Sequence, residues 1–247
     1  MDYKTISILI PVYNEEKFIV HTLQRVIKSD TSGLKKEILI IDDCSSDGTY
    51  KLLKQEISRL KKEVKTSSYP ITLIHKEVNE GKGAAIKKGL TESKGDIVII
   101  QDADLEYDPE DYPLMLSPFV KNNADVVYGS RFITDKPHRV LYYWHSVANR
   151  FLTMFSNMCT NLNLTDMETG YKAFRGDLIR NIASQLQSKK FGFEPEVTAR
   201  LSKIKDINFY EVGISYTGRT YAEGKKIGWK DGVEALGEII KFNFLSK

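Results

Sequence analysis

Four short, largely apolar runs, 6–10, 37–41, 71–75 and 97–101, alternate with segments of helical spacing, and this alternation leaves few folds open to the chain. A near-continuous apolar run reads as a strand buried on both faces. Between the first two runs, Phe18, Val20, Leu23, Val26 and Ile27 recur at helical intervals, which predicts a helix over 15–28. A second helix is expected to open at Ser45-Ser46-Asp47-Gly48, and a third over 83–92. Strands alternating with helices in this way build an α/β fold with a doubly wound, mostly parallel sheet in a single domain. Such sheets bind ligands beyond the carboxyl ends of their strands.

Each strand end carries a polar motif. The first run leads into Pro11-Val-Tyr-Asn-Glu15, the second into Asp42-Asp43, and the fourth into Asp102-Ala103-Asp104-Leu105-Glu106. Three carboxylates separated by single residues repel one another, and a hard divalent cation such as Mg²⁺ or Mn²⁺, shared with phosphate oxygens, relieves that repulsion. At the end of a buried strand, Asp102 and Asp104 are expected to point the same way by the period of two. Convergence of three acidic motifs on one sheet edge suits a nucleotide diphosphate: Asp42 or Asp43 accepting from base or ribose, Tyr13 packing on the base, Glu15 on a ribose hydroxyl. Ser45, Ser46 and Asp47 stand where a helix N-cap is expected. In Asn79-Glu-Gly-Lys-Gly83 the glycines permit close backbone approach, and Lys82 can reach a ligand.

Composition narrows the classes without choosing among them. A chain of 247 residues with net charge +3 and scattered basic residues carries no argument for nucleic acid. Cys44 and Cys159 lie far apart with no metal spacing, which reads as a reducing, cytoplasmic setting. No signal segment is expected before the first strand, and no apolar stretch approaches the ~20 residues a membrane-spanning helix needs.

In order along the chain, Pro11-Val-Tyr-Asn-Glu15, Asp42-Asp-Cys-Ser-Ser-Asp-Gly-Thr49, Asn79-Glu-Gly-Lys-Gly83, Asp102-Ala-Asp-Leu-Glu106, Gly129-Ser-Arg-Phe132 and Asp166-Met-Glu-Thr-Gly-Tyr-Lys172 resemble the motifs of family 2 inverting glycosyltransferases. Within that family the resemblance is to the dolichyl-phosphate mannose synthase and polyprenyl-phosphate glucosyltransferase group, and it covers about residues 5–230. It implies a GT-A (Rossmann-like) fold, with a catalytic unit over 1–230 and an amphipathic helix or tail over 231–247. It further implies a nucleotide-sugar donor, GDP-mannose or UDP-glucose, a polyprenyl or dolichyl phosphate acceptor, and Mg²⁺ or Mn²⁺. Carried over by position, the donor lies against Pro11, Tyr13, Glu15, Asp43, Lys82, Asp102 and Ala103. The metal falls to Asp104 as principal ligand with Asp102 and Glu106, the last standing where the group often has Gln.

The same resemblance assigns Arg131, Arg150 and a hydroxyl, Thr153 or Ser156, to the acceptor phosphate, whose oxygens an arginine fork matches. Arg219 and Lys225, six residues apart in a Gly-interrupted basic loop, would grip the two phosphate groups as a lid, with Lys226 as substitute. A phosphate acceptor, ionised with a second pKa near ~6, needs no strong base, so Asp166 orients or stabilises. A hydroxyl acceptor would instead demand Asp166 or Glu194 as base, and an idle nucleotide-sugar-binding subunit is the remaining alternative. Tyr142, Tyr143, Trp144, Phe151, Met154, Phe155 and Met158 read mostly as core, with Trp144 and the adjoining tyrosines as the exceptions; the functional alternative is a surface for a prenyl chain or membrane. Leu236, Ile239, Ile240, Phe242, Phe244 and Leu245 form the amphipathic tail. It is expected either to reach the membrane or to pack on the fold.

Overall fold

The computed structural model describes residues 2–63, 69–134, 139–140, 142–219 and 229–246. Its strands are β1 (Thr5–Val12), β2 (Lys35–Asp42), β3 (Ile71–His75), β4 (Ile97–Ile100), β5 (Val126–Ser130), β6 (Lys172–Arg175) and β7 (Phe209–Gly213). They form one sheet in the order β3-β2-β1-β4-β6-β5-β7, parallel except where β6 runs against β4 and β5. The expected mostly parallel, doubly wound α/β architecture is what the chain forms. From β1 the chain winds outward through β2 and β3, then returns to place β4 on the other side of β1. The crevice between β1 and β4 is therefore the topological switch point.

The helices are α1 (Ile19–Lys28), α2 (Thr49–Glu63), α3 (Lys82–Glu92), α4 (Tyr112–Asn122), α5 (Tyr143–Thr160), α6 (Gly176–Ala183), α7 (Phe193–Ser202) and α8 (Trp229–Ile240). Side-chain alternation along the strands sorts them into two outer layers. Ile6, Ile8 and Ile10 of β1 join α1, α2 and α4 in one buried cluster, whereas Leu9 joins α3 and α5 to α8 in the other. Both faces of the central strands are thus covered, which is why they read as unbroken apolar runs.

Two expected boundaries shift for reasons visible in the hydrogen bonds. The helix expected from residue 15 begins at Ile19, because Glu15 closes a turn in which its carbonyl accepts from Phe18 N and Ile19 N, and its own N–H donates to Thr49 Oγ1 at 2.9 Å. Likewise, the helix expected from 45–48 begins at Thr49, after Asn14 Oδ1 has accepted from Ser46 N at 2.8 Å. These side-chain bonds satisfy backbone groups outside the helices and fix the two polar loops to each other.

Pro11, which follows the first apolar run, lies inside β1 opposite Ile41 of β2. Pairing of β1 with β4 ends at Leu9 opposite Ile100, and Leu9 O accepts from Gln101 N at 2.8 Å. Residues of one strand face alternate neighbours, so the position where Pro11 lacks an N–H faces the gap beyond the end of β4, and no ladder bond is lost.

The exposed face of α5 is a correction. Phe151, Met154 and Met158, expected as core, are 49, 53 and 74% exposed, and with Trp144 at 75% and Val147 they recur at intervals of three and four residues along one side of the helix. Only Leu152, Thr153 and Ser156 are buried, with Phe155 and Cys159 partly so. Two of the three buried side chains are hydroxyls. One edge of α5 therefore fills the space beside the sheet, and its long apolar residues are left outside. The C-terminal segment divides: Ala235, Ile239 and Phe242 are buried where α8 meets α5 and α7, while Phe244 and Leu245 are exposed. Among the described residues no helix is long and apolar enough to cross a membrane.

Candidate active site

β4 stops at Ile100, so the period of two does not extend to the acids, and the expectation that Asp102 and Asp104 point together fails. Residues 101–106 turn instead, with Leu105 at φ 62°. Asp102 turns toward Lys82 at the start of α3, its two oxygens 2.9 and 3.0 Å from Nζ. Asp104 turns toward Arg219, accepting from Nη2 at 2.7 Å.

Arg219 gathers Glu15, Asp104 and Glu106. Beyond Asp104, its Nη1 donates to Glu15 Oε2 at 3.2 Å and its backbone N–H to Glu106 Oε1 at 2.7 Å. Tyr216 donates its hydroxyl to Glu106 Oε2 at 2.7 Å, so both Glu106 oxygens hold the 216–219 strap. Burial, reinforced by Asp102 and Glu106, pushes the Asp104 carboxyl up to about 7 against the pull of Arg219. Among the described residues no three His, Cys, Asp or Glu side chains are grouped so as to hold a metal ion. A cation nevertheless suits this place, since three carboxylates already converge on a guanidinium there.

Asp43, expected against the donor base, is buried and fully engaged: Lys76 Nζ reaches Oδ1 at 2.5 Å, and Gly81 N reaches Oδ2 at 2.6 Å. It shapes the 79–83 loop. Asp42, its neighbour, contacts His75 Nδ1 at 2.6 Å, and its buried Oδ1 has no hydrogen-bond partner. Pro11 lies at the rim of the crevice, Tyr13 is 38% exposed beside it, and Ala103 is buried with its carbonyl accepting from Thr22 Oγ1.

On the other side of the switch point, Asp166 is fully buried and accepts from Arg131 three times: from Nε and Nη2 at 2.7 Å each, and from the backbone N at 3.1 Å. The carboxylate holds the guanidinium well above its ordinary pKa despite burial. Arg131 lies over the Tyr216 ring at 5.2 Å, and Arg131 and Arg150 each lie 5.8 Å from the Phe132 ring. Thr153 Oγ1 accepts from Met167 N at 3.1 Å, and Ser156 is buried. Arg150, Thr153, Met154, Met158 and Leu164 line an open groove of about 470 Å³ on α5. Lys225 and Lys226 lie outside the described residues.

Between the two sides lies a buried charged layer that sequence reasoning largely missed. Lys82 also contacts Glu194 of α7 at 3.4 Å; burial works against its charge, but Asp102 and Glu194 together raise its pKa. Burial and the charge of Glu194 push Glu168 up to about 8, and its Oε1 finds no partner. Lys172, buried under the Tyr128 ring, donates to Met167 O at 2.9 Å and to Thr169 O, and burial draws its pKa down to about 8. Glu211 of β7, raised by its own burial, accepts from Thr165 N at 2.8 Å and Asp166 N at 3.2 Å, fixing the loop that carries Asp166. Glu168 and Lys172 were visible within the 166–172 motif; nothing in the sequence marked Glu211. Tyr107, stacked on Tyr171 at 5.2 Å and tilted against Tyr216 at 5.3 Å, receives Gly170 N on its hydroxyl. The tyrosines tie the strap to the floor of the site.

Residues 7–183 match glycosyl transferase family 2. The chain belongs to that family. This glycosyltransferase is 26% identical over 224 residues to a dolichol-phosphate mannosyltransferase of Pyrococcus furiosus, covering 90% of this chain and 60% of that protein. Against that relative, then, the chain spans about three fifths of the length. It is 28% identical over 247 residues to an undecaprenyl-phosphate mannosyltransferase of Micrococcus luteus, covering 97% and 94% of the two. In three dimensions the glycosyltransferase is similar to glucosyl-3-phosphoglycerate synthase from Mycobacterium tuberculosis in complex with Mn²⁺, UDP and phosphoglyceric acid, with TM-score 0.71, 15% identity, and 99% and 80% of the two chains covered. That likeness bears on the fold, which is GT-A.

Proposed function

We propose that this enzyme moves a hexose, mannose or glucose, from GDP-mannose or UDP-glucose to a polyprenyl or dolichyl phosphate, with inversion, at the cytoplasmic face of a membrane. One observation carries the reading: Tyr216 joins two cationic centres, holding Glu106 beside Arg219 with its hydroxyl and lying under Arg131 with its ring. Arg219 faces the donor acids, while Arg150, which shares the Phe132 ring with Arg131, lines the α5 groove. Two anions brought together against their own repulsion need such a pair of centres.

Asp104, with Asp102 and Glu106 beside it, would hold Mg²⁺ or Mn²⁺, which when bound supplies Lewis-acid neutralisation of the leaving diphosphate. Arg219 would share that neutralisation, with Lys225 following it in the chain. Lys82 and Asp102 would position the donor at the N-terminus of α3, where backbone N–H groups favour anions. Arg131 and Arg150 would orient the acceptor phosphate by their fork geometry. Both oxygens of the Asp166 carboxylate are bound by Arg131, so neither is turned toward an acceptor to serve as a base. A phosphate nucleophile, already ionised, asks for none, and this favours it over a sugar hydroxyl. The relatives that use dolichol phosphate and undecaprenyl phosphate support the same acceptor class. The exposed Trp144, Phe151, Met154 and Met158 would meet the prenyl chain and the membrane interface.

Radiolabelled GDP-mannose and UDP-glucose, each offered with a short polyprenyl phosphate and Mg²⁺ or Mn²⁺, test this directly. Label should enter the organic phase from one donor and should cease to do so in Asp104→Ala. Label appearing only in water-soluble sugar products, or an Asp104→Ala enzyme of full activity, would overturn it.

A further inference from the structure

The strap that carries Arg219 is built into the acidic loop. Tyr216 bridges to Tyr107, Thr217 N donates to Glu106 O at 3.0 Å, and Arg139 Nη1 donates to Gly218 O at 2.9 Å. Two residues, Thr217 and Gly218, separate the Tyr216 anchor from Arg219, so the guanidinium is delivered to Glu15 and Asp104 by a short, fixed tether. The Arg219 side chain is 12% exposed, and it lies 5.7 Å from the Phe18 ring.

We propose that Arg219 is an internal competitor for the cation that the donor acids attract: guanidinium and divalent ion claim the same carboxylate oxygens, and the nucleotide diphosphate settles the contest by offering the guanidinium another anion. The inference rests on the metal-dependent reading above and deepens it. Guanidinium does not deprotonate near neutrality, so it yields the carboxylates only by moving. A divalent ion arriving alone must set this buried charge adrift without a partner, which opposes its binding. When a diphosphate arrives with the ion, Arg219 exchanges carboxylate for phosphate oxygens and remains paired. Ion and nucleotide therefore bind as a cooperative pair, and each strengthens the other by the same factor. Glu106 is a positioning residue in this scheme, because its two oxygens hold the strap that aims Arg219.

Mn²⁺ titrations read by the electron paramagnetic resonance of the free ion, with and without UDP or GDP, separate the outcomes without turnover. Arg219→Gln should bind Mn²⁺ alone on the order of tenfold more tightly than the wild type, and nucleotide should tighten its Mn²⁺ binding by a smaller factor than in the wild type. Arg219→Lys, which keeps the charge, should fall between the two. Tyr216→Phe loosens the strap without removing an acid or a cation, and should shift Mn²⁺ binding in the same direction by less; it also decides the matter if Arg219→Gln does not fold. Unchanged or weaker Mn²⁺ binding in Arg219→Gln, or in Tyr216→Phe where that variant must decide, overturns the competition. A wild-type chain that transfers sugar yet shows no such difference removes this inference alone. One that binds Mn²⁺ under neither condition removes the metal-dependent reading as well.

Discussion

Arg131 and Asp166 meet through two parallel contacts, Nε to Oδ2 and Nη2 to Oδ1, each 2.7 Å, with the carboxylate fully buried. The pair is structural before it is chemical, because removing one member strands the charge of the other. Asp166→Ala should lower the unfolding free energy by about 3–5 kcal/mol, measured by urea denaturation. A loss under about 1 kcal/mol, the size expected of a surface pair, would show that the contact bears little of the fold.

Gly170 sits where a side chain would strike the Lys82–Asp102 pair, proposed above to position the donor. A Cβ there would lie 2.6 Å from Asp102 Oδ2 and 3.1 Å from Lys82 Nζ. Gly170→Ala should therefore split the Lys82–Asp102 pair and raise KM for the nucleotide sugar roughly tenfold, with less effect on the acceptor KM. Steady-state kinetics varying each substrate separately would check it; equal donor KM values in the two proteins would refute the proposed contact.

The Glu168 carboxyl, pushed from its ordinary 4.5 up to about 8 by burial, gives a pH signature. Its proton is held more tightly in the folded chain than in the unfolded one. The stability this contributes is fully present below about 4.5 and is lost as pH rises through about 8. Glu168→Gln carries no such proton, so its unfolding free energy should fall less than that of the wild type between pH 5 and 8. Parallel denaturation curves for the two proteins across that range would contradict the assignment.

On α5, Phe151 and Met154 are half exposed beside the groove that Arg150 lines. The double substitution Phe151→Ser with Met154→Ser should leave stability within about 0.5 kcal/mol, as expected for surface positions. It should weaken binding to phospholipid vesicles containing a long polyprenyl phosphate, measured by co-sedimentation, while leaving transfer to a short-chain acceptor in solution largely intact. Unaltered vesicle binding would separate this face from the lipid.

Much of the architecture was legible because strands buried on both faces must be written in apolar residues, as the runs at Ile6, Ile38 and Ile97 are, and the half-buried edge strand at Ile71 still keeps an apolar run. The antiparallel β6 was not, since direction within a sheet depends on a crossover and leaves no mark in a four-residue strand. At the site, Glu15, Asp104 and Glu106 meet at Arg219, as nearby acids in the sequence suggested, but the partners of Asp43, Asp102 and Asp166 were hidden. Asp102 and Asp104 diverge because the strand ends before them, a fact of turn geometry that period-two reasoning could not supply. Phe151, Met154 and Met158 misled in the opposite way: apolar residues on a helix imply a covered face only when something in the fold covers it.

The proline inside β1 has one more implication. At the mouth of the crevice, where β4 has already stopped, the neighbouring backbone offers no amide hydrogen to extend the pairing. A lengthened β4 could still donate to the Pro11 carbonyl but would find no N–H to accept from, so the ladder there could be only half made. The aperture at the centre of the sheet is thus kept from sealing by the covalent make-up of a single ring, at no expense of strain and without any moving part.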